Sequence, residues 1–308
     1  MPFERPKYRP QGAHAFYSPF TIDYSQLPIF AAMKQPVKEL FTLTGAAPAP
    51  AADGRLSISV SDTHVSYAIS NATGDTLHSL KWFSLSELTA EALDTLRQSD
   101  QALSGSYHYI HIAYLYPQAL LTPAADVSAE AGGRLLNLVH GKPDTDVVLD
   151  EVLAGGHIRQ VYTAPKDVHE WLQQYFPQVV FHHGYAPSVN RMTDAAEDGI
   201  LAVDFRNEEW SVVAGASGKA LLAQTFPYHT PADVLFYLLK ICQELGLKQD
   251  SVQLQLSGLV AEKSALYKEL SQYFRELAFR EASWGSIGNG DTPSHFFTSL
   301  NELSLCGS

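Results

Sequence analysis

The chain has 308 residues, of which 45% are hydrophobic and 18% charged, with a formal net charge of −12 at pH 7. This composition is typical of a globular protein with an ample core, and the negative charge without a Lys/Arg cluster disfavours nucleic-acid binding. No apolar run approaches the roughly 20 residues that span a bilayer, and MPFERPKYRPQGAH lacks the apolar region of a secretory signal, so we expect a cytoplasmic protein without membrane insertion.

Residues 1–54 are predicted to form an N-terminal extension and linker. They are rich in proline and aromatic residues and end in GAAPAPAADG, an Ala/Pro run typical of a loop. One helix is predicted before this run, around QPVKELFTL. We expect a first lobe over residues 55–198 and a second lobe over residues 199–308.

The first lobe opens with a period of two. Leu56, Ile58 and Val60 alternate with serines, and a turn at Asp62–Thr63 leads into a second alternating run, which predicts a half-buried antiparallel hairpin. TLHSLKWF is predicted as the third strand, SLSELTAEALDTLRQ as a helix capped by Ser86, and SYHYIHIAY as the fourth strand. An insertion at about 116–156 follows, with a helix near SAEAGGRLLNL and a strand at DVVLDEVL.

The second lobe repeats this order of elements. GILAVDFR and EEWSVVAG are predicted to form a hairpin, with KALLAQTFPY as the third strand after a turn at GASGKA. The next segment, HTPADVLFYLLKICQELGL, predicts a helix capped by Thr230 and closed by Gly246. SVQLQLSG is then the fourth strand.

The ends of the two lobes also correspond. HIRQVYTAPKDVHEWLQQYFPQVVFHHG and SVQLQLSGLVAEKSALYKELSQYFRELAFREA each predict strand, helix and strand, with LQQYFPQVVF aligned to LSQYFRELAF. YAPSVNRMTDAAED is expected to cross between the lobes as a helix. An internal duplication of roughly 110–150 residues explains this match.

Two consecutive units of this kind resemble the actin-like ATPase superfamily, and within it an uncharacterised Bacteroidota family of unknown function. The resemblance covers about residues 55–282 and depends on the element order and on stretches such as SISVSDTHVSYAIS and LAVDFRNEEWSVV. It implies an α/β fold with two ribonuclease H-like lobes. Each lobe would be a mixed sheet with a three-stranded antiparallel meander flanked by helices.

The resemblance also implies where a nucleotide would bind, because nucleotide-binding members carry Asp-x-Gly in the first hairpin of each lobe. The aspartate organises Mg²⁺, and the glycine lets backbone N–H groups approach the phosphates. Val60 aligned with Val203 puts Ser61 at the aspartate position of the first lobe. Asp62 and Thr63 would have to substitute there, or they are ordinary turn residues.

In the second lobe the sequence retains Asp204, but Arg206 stands at the glycine position and two glutamates follow. Arg206 could contact a phosphate, or it could pair with a neighbouring carboxylate, which we expect. Of the glycine pair that accepts adenosine in the family, only Gly258 remains, and a strand-to-helix turn also explains it. The three altered motifs predict no cofactor, with ATP and magnesium as the alternative.

The sequence gives little support to nuclease activity, a metal site or a disulfide scaffold. Two-metal nuclease activity needs three converging carboxylates, and VQLQLSG and SYHYIHIAY supply none. The histidines at 108, 111, 182 and 183 fall on opposite faces of their strands within each pair, so we predict isolated structural histidines and no metal site. Cys242 and Cys306 are too few for a disulfide scaffold. The tail SHFFTSLNELSLC is apolar enough to pack on the body or on a second chain.

The sequence therefore leaves three hypotheses. The first is a non-enzymatic binding or scaffolding protein that holds a protein partner. The second is a divergent nucleotide-binding protein or phosphotransferase with Asp204, Arg206 and Gly258 at the cleft between the lobes. The third is a sensor whose lobes close on a small molecule.

Overall fold

The computed structural model describes residues 37–45, 54–141, 145–284 and 292–306. The first lobe is a six-stranded mixed sheet with helices on both faces. In chain order it contains β1 (Val37–Thr44), β2 (Arg55–Val60), β3 (His64–Ser70), β4 (Leu77–Leu85), α1 (Ala90–Ser99), β5 (Tyr109–Tyr114) and, after an insertion, α3 (Lys166–Tyr175), β9 (Val180–His183) and α4 (Ala186–Arg191).

The insertion is a small sheet covered by one helix. Its elements are β6 (Ala119–Pro123), α2 (Ala129–His140), β7 (Asp146–Leu153) and β8 (Ile158–Pro165). The three strands are antiparallel, with β8 between β6 and β7. The predicted helix and the predicted strand at DVVLDEVL are confirmed.

The second lobe is a five-stranded mixed sheet. Its elements are β10 (Ile200–Phe205), β11 (Glu209–Ala216), β12 (Lys219–Pro227), α5 (Pro231–Leu245), β13 (Gln253–Gly258), α6 (Ala265–Ser271), β14 (Glu276–Phe279) and α7 (Thr298–Ser304). The helix α5 begins at the predicted cap, Thr230, and ends at Gly246, which adopts a left-handed conformation with φ of 69°.

The two sheets share one topology. The order β4-β3-β2-β5-β9 in the first lobe matches β12-β11-β10-β13-β14 in the second, with three antiparallel strands followed by two parallel ones in each. The lobes also exchange helices, since α4 contacts β11 of the second lobe and α7 contacts β2, β3 and β5 of the first. The predicted α/β fold of two duplicated lobes is confirmed.

The helix predicted around QPVKELFTL is wrong, because this segment is the edge strand β1, antiparallel to β4. A register shift between Glu39 and Phe41 inserts one extra residue, Leu40, into the strand. In the sequence Val37, Leu40 and Phe41 have the spacing of a helix face, and the bulge is what allows this spacing in a strand. Among the described residues the first sheet therefore begins at Val37, within the predicted extension. The linker residues 46–53 lie outside the described residues.

The prediction of a half-buried first hairpin is also wrong, because both faces of β2 and β3 are buried. Ser57, Ser59 and Ser66 line one face, and α7 packs against it through Leu300 and Leu303. Serine side chains are small enough to let the helix lie close to the sheet. The apolar tail thus packs on the body of the same chain.

Two local predictions need correction. The strand β8 belongs to the insertion sheet, so β5, and not HIRQVY, corresponds to β13. The helix α1 begins after Thr89, whose hydroxyl accepts a hydrogen bond from Ala92 N, and not at Ser86. In the part of the chain that the structure describes, no helix is long and apolar enough to cross a membrane.

Candidate functional site

The hairpins that join β2 to β3 and β10 to β11 end in turns with the same hydrogen bond. Ser61 N donates to His64 O at 3.0 Å, and Arg206 N donates to Glu209 O at 2.9 Å. Each turn is also bridged by side chains, since Ser61 Oγ lies 2.6 Å from His64 Nδ1 and Arg206 Nε lies 3.0 Å from Glu209 Oε1. The two turns are therefore equivalent residue by residue.

This equivalence corrects the alignment of the two hairpins. Val60 is the last residue of β2 and Phe205 the last residue of β10, so Ser59, and not Ser61, occupies the position of Asp204. Ser61 instead matches Arg206. The first lobe consequently has serine at both the aspartate and the glycine position of the family motif.

Arg206 is buried beneath its turn, with only 4% of its surface exposed. Besides its ion pair with Glu209, which was expected, the guanidinium Nη2 lies 3.4 Å from Thr225 Oγ1. That hydroxyl is itself 2.7 Å from Tyr185 Oη, at the start of α4. The approach of Nε to Glu209 is too bent for a hydrogen bond, so the contact is chiefly electrostatic.

Two buried histidines of the first lobe are within electrostatic reach of this arginine. Burial, together with the positive charge of Arg206, lowers the pKa of both His64 and His183 to about 3. His183 Nε2 donates to Tyr116 O at 2.8 Å, and its Nδ1 accepts from Tyr185 N at 3.3 Å. Both rings are therefore neutral at pH 7.

The tips of the two turns carry negative charge. Partial desolvation by the neighbouring chain raises the pKa of Asp62 although its side chain is exposed, and Asp146 and Glu87 add to this effect. Burial also raises the pKa of Glu209; Arg206 opposes the rise, and the charge of Asp62 adds to it. An anion brought to this place would meet carboxylates from both lobes.

Asp62 and Thr63 are exposed at the tip of the first turn, and their backbone carbonyls have structural partners. Asp62 O accepts from Leu88 N, and Thr63 O accepts from Leu85 N, each at 2.8 Å. These bonds fasten the turn to the end of β4, so ordinary turn geometry accounts for both residues.

Asp204 is held by two serine hydroxyls. Ser299 Oγ of α7 donates to Asp204 Oδ1 at 2.8 Å, and Ser257 Oγ lies 2.9 Å from the same oxygen. Arg280 Nη2 in turn donates to Ser257 Oγ at 3.0 Å. The carboxylate thus belongs to a polar network at the junction of the lobes.

The same network ties α4 to the second lobe. Arg280 Nη1 donates to Ser188 Oγ at 2.9 Å, whereas Arg191 donates to Glu302 Oε1 and to Gln255 Oε1, both at 3.0 Å. These contacts join the two exchanged helices, α4 and α7, to β13 and β14. The junction is therefore fixed by charged hydrogen bonds as well as by apolar packing.

Gly258 ends β13 with φ of 78°, as the predicted strand-to-helix turn requires. A Cβ atom here would lie 2.1 Å from Phe205 O, and Leu259 N donates to that oxygen at 2.8 Å. The close approach of β10 therefore requires glycine whether or not a nucleotide binds.

A histidine pair that sequence reasoning missed lies at the outer edge of the first sheet. His111 Nδ1 is 3.0 Å from His182 Nε2, and His182 Nδ1 is 3.0 Å from Glu151 Oε2 of the insertion. Burial lowers the pKa of His111 to about 4, with His182 adding to the effect. The histidines were compared only within their own strands, whereas β5 and β9 are neighbours and bring these two to one face.

Two cavities lie away from the hairpin turns. One of about 300 Å³ follows α5 and is lined by Cys242, Leu239 and Leu247. The other, of about 440 Å³, lies between β1 and α1 beside Lys81 and Asp100.

The two lobes and the paired hairpin turns have the arrangement of the actin-like ATPase fold. The chain belongs to the family described as Protein of unknown function (DUF3822), whose model matches residues 48–277. No curated protein matches the chain.

Three solved structures are similar to the chain to different degrees. A Bacteroides thetaiotaomicron protein with actin-like ATPase fold and unknown function is 20% identical, with a TM-score of 0.67, and the match covers 74% of this chain and 91% of that one. The ethanolamine utilization protein EutJ from Carboxydothermus hydrogenoformans is 10% identical, with a TM-score of 0.48 and coverage of 85% and 92%. A PilM-PilN type IV pilus biogenesis complex is 12% identical, with a TM-score of 0.47 and coverage of 82% and 97%. The Bacteroides thetaiotaomicron structure confirms the predicted resemblance to the actin-like ATPase fold.

Proposed function

We propose that this protein is a non-catalytic binding or scaffolding protein of the cytoplasm, which keeps the actin-like architecture without nucleotide chemistry and holds a protein partner. The observation that carries the proposal is the burial of Arg206 in the turn where nucleotide-binding relatives need glycine. Its guanidinium is engaged by Glu209 and Thr225 of the same lobe.

The residues of this turn do not fit the phosphates of a nucleotide. A phosphate held by backbone N–H groups needs a close approach to the chain. Here Arg206 N donates to Glu209 O instead, and the carboxylates of Asp62 and Glu209 put negative charge at the two turns. Binding would have to break the ion pair of a buried arginine and bring like charges together.

The carboxylate of Asp204 is a poor match for Mg²⁺ coordination. The ion binds a few carboxylates and keeps several of its own waters, which needs open space around the oxygens. Ser299 and Ser257 already surround Asp204 Oδ1, and Ser299 belongs to α7, which is packed against the first lobe. A magnesium ion bound at this oxygen would have to displace a serine hydroxyl.

The negative charge of the protein favours some kinds of binding partner over others. A net charge of −12 opposes nucleic-acid backbones and favours a partner with basic side chains. A protein surface is the partner that best suits a chain with this charge and an ordinary apolar content.

Isothermal titration of the full chain with ATP and magnesium tests the proposal. We expect no binding heat for the wild-type protein at millimolar nucleotide. Micromolar binding that is lost in Asp204→Ala and kept in Asp198→Ala would overturn it. Asp198 is an exposed aspartate that lies outside the two hairpin turns. The protein would then be a divergent nucleotide-binding protein.

A further inference from the structure

Several carboxylates lie where the parallel strands of the first sheet end. Asp62 follows the end of β2, and Tyr116 stands at the same distance after the end of the neighbouring strand β5, with Leu115 N donating to Val60 O at 2.9 Å. In α/β sheets, ligands bind beyond the carboxyl ends of parallel strands. We call the carboxylates at this edge the acidic rim: Asp62, Glu87, Asp146 and Asp167.

The β2–β3 turn and the end of β4 bring the first two rim residues together. Leu88 N donates to Asp62 O at 2.8 Å, so the preceding Glu87 lies beside the turn. Besides partial desolvation, the charges of Asp146 and Glu87 raise the pKa of Asp62. Since a like charge shifts a pKa only from nearby, these carboxylates share one region of the surface.

The start of β7 and the start of α3 carry the other two rim residues. Asp146 pairs with Pro165, the last residue of β8. Lys166 N then donates to Thr145 O at 2.9 Å, and Asp167 stands in the first turn of α3. The rim is therefore assembled from segments that are far apart in the chain.

The rim carboxylates form no ion pair with any cation in the part of the chain that the structure describes. Asp146 accepts a hydrogen bond from the hydroxyl of the preceding threonine at 3.3 Å. The neighbouring cations are engaged elsewhere, since Lys166 lies 3.7 Å from Glu170 of its own helix and Arg206 is paired with Glu209. The negative charge of the rim is thus not compensated within the described residues.

Tyr116 adds a buried hydroxyl to this region. The residue is 5% exposed, and its Oη has no hydrogen-bond partner among the described residues. Burial raises the pKa of this hydroxyl, and three rim carboxylates, led by Asp62, raise it further. Because the hydroxyl is buried whereas Asp62 and Asp167 are exposed, it lies beneath the rim. A buried polar atom without a partner is unfavourable until a ligand or a water completes its hydrogen bonds.

The spacing of the rim favours an organic cation over a metal ion. Within the described ranges, no three His, Cys, Asp or Glu side chains are placed to hold one metal ion. An ammonium or guanidinium group carries several N–H donors, which can reach separate carboxylates and a hydroxyl oxygen. Its charge would also relieve the repulsion between the rim carboxylates.

We propose that the acidic rim binds an organic cation, an ammonium or guanidinium group, and that a Lys or Arg side chain of the protein partner supplies it. The rim carboxylates surround the positive charge, and Tyr116 Oη accepts a hydrogen bond from the cation. The choice of a protein partner rests on the proposed binding function. The site adds to that function the place and the chemistry of one contact.

Fluorescence anisotropy of a labelled Gly/Arg peptide with the full chain tests the site. The same peptide with citrulline in place of arginine is the uncharged control. Asp62→Asn combined with Glu87→Gln is the rim variant. Glu197→Gln combined with Asp198→Asn is the matched variant, because these exposed residues precede β10, at the end opposite to its turn, and the change leaves the same net charge.

We expect the Gly/Arg peptide to bind the wild-type protein and the matched variant equally in about 0.1 M salt, where screening limits surface charge to about 10 Å. The rim variant should bind it at least about tenfold more weakly, a loss of ~1.4 kcal/mol. The citrulline peptide should bind the wild-type protein at least about tenfold more weakly too. Equal binding by the two double variants would show attraction to net charge alone and would overturn the site. If the rim variant does not fold, Glu87→Gln combined with Asp167→Asn replaces it.

Tyr116→Phe separates binding from a structural role. It should weaken binding about threefold without lowering stability, because it deletes a hydroxyl that has no partner in the free protein. Unchanged binding would overturn the contact with Tyr116.

Competition with spermidine and with Ca²⁺ distinguishes the sources of the cation. Displacement of the labelled peptide by spermidine at a lower concentration than by unlabelled peptide would overturn the partner side chain in favour of a free polyamine. Displacement by Ca²⁺ at the lowest concentration would overturn the proposal in favour of a metal site, and weaker displacement by both supports it. Because these measurements contain no nucleotide, failure of this proposal is distinguishable from failure of the proposed function, which depends on ATP titration.

Discussion

Ser299, on the last helix, donates a hydrogen bond of 2.8 Å to the carboxylate of Asp204, in the first strand of the second lobe. The helix that carries Ser299 also covers the serine face of the first sheet. The aspartate that could hold a metal in this fold is thereby used to fasten one lobe to the other. The contribution of this contact can be measured as stability.

Ser299→Ala should lower the free energy of unfolding by about 1.5 kcal/mol, since a hydrogen bond to a charged group contributes roughly that amount. Chemical denaturation of the full chain measures it. Ser271→Ala, which removes an exposed hydroxyl on α6, should stay within about 0.5 kcal/mol of wild type. Equal stability of both variants would show that Asp204 does not depend on α7.

Arg206→Gly restores the glycine of the family motif and should still cost about 2 kcal/mol of stability. The loss of a fully buried ion pair costs about 3–5 kcal/mol, and the value is smaller here because the Glu209 side chain keeps 31% exposure. The equivalent change in the first lobe, Ser61→Gly, makes the same backbone substitution without loss of an ion pair. We expect denaturation to show that Ser61→Gly costs less by about 1 kcal/mol. A smaller effect for Arg206→Gly would contradict the structural role of the guanidinium.

Hydrophobic periodicity and helix-capping residues were sufficient to predict most of the architecture. Alternation identified β2, β3, β10 and β11, and the sequence around Thr230 and Gly246 located α5, because these signals are local. Local signals failed where the tertiary structure changes them. The edge strand β1 has the residue spacing of a helix because it contains a bulge at Leu40. The serines of β2 and β3, which the alternating pattern predicts to be exposed, are buried under α7.

Part of the candidate site at the hairpin turns was predicted from the sequence. Arg206 in place of glycine was visible in the sequence, and so was its carboxylate partner within three positions. The equivalence of Ser59 with Asp204 was not, because it depends on the register of β2 against β5 and of β10 against β13. The electrostatic effect of Arg206 on His64 and His183 likewise acts between the lobes, and no local pattern records it.

These histidines predict that stability falls in acid. Burial holds the pKa of His64 and His183 at about 3, below the ordinary value of 6.5, so the unfolded chain takes up the protons first. The stability that the neutral rings contribute is complete above about pH 6.5 and is lost as the pH falls towards 3, by up to ~1.4 kcal/mol per pH unit for each ring.

Urea denaturation between about pH 5 and 8 measures this dependence near the ordinary histidine pKa of about 6.5. His183→Gln should be less stable at neutral pH but should lose less stability on acidification than the wild-type protein. His108→Gln removes an exposed histidine and should keep the wild-type pH dependence. An unchanged pH dependence in His183→Gln would mean that this ring takes up its proton equally well in both states.

Gly74→Ala should lower the free energy of unfolding more than most single changes, because it disrupts the contact between the β3–β4 turn and the end of α7. Gly74 has φ of 80°, and a Cβ atom there would lie 2.0 Å from Ser304 O. Its carbonyl also accepts from Trp284 Nε1 and Ser304 Oγ, both at 2.8 Å. The new methyl group would push the helix away and break both bonds.

Gly246→Ala separates the backbone strain from this contact. Gly246 has φ of 69° with nothing within 4 Å of the added Cβ, so its substitution should cost only the left-handed strain of about 1–2 kcal/mol. Gly74→Ala should exceed it by at least ~2 kcal/mol, the cost of overpacking a rigid contact together with the lost hydrogen bonds. Thermal and chemical denaturation of the two variants compare them directly. Equal losses would mean that α7 yields to the methyl group at little cost, and that the tail is held less firmly than its contacts indicate.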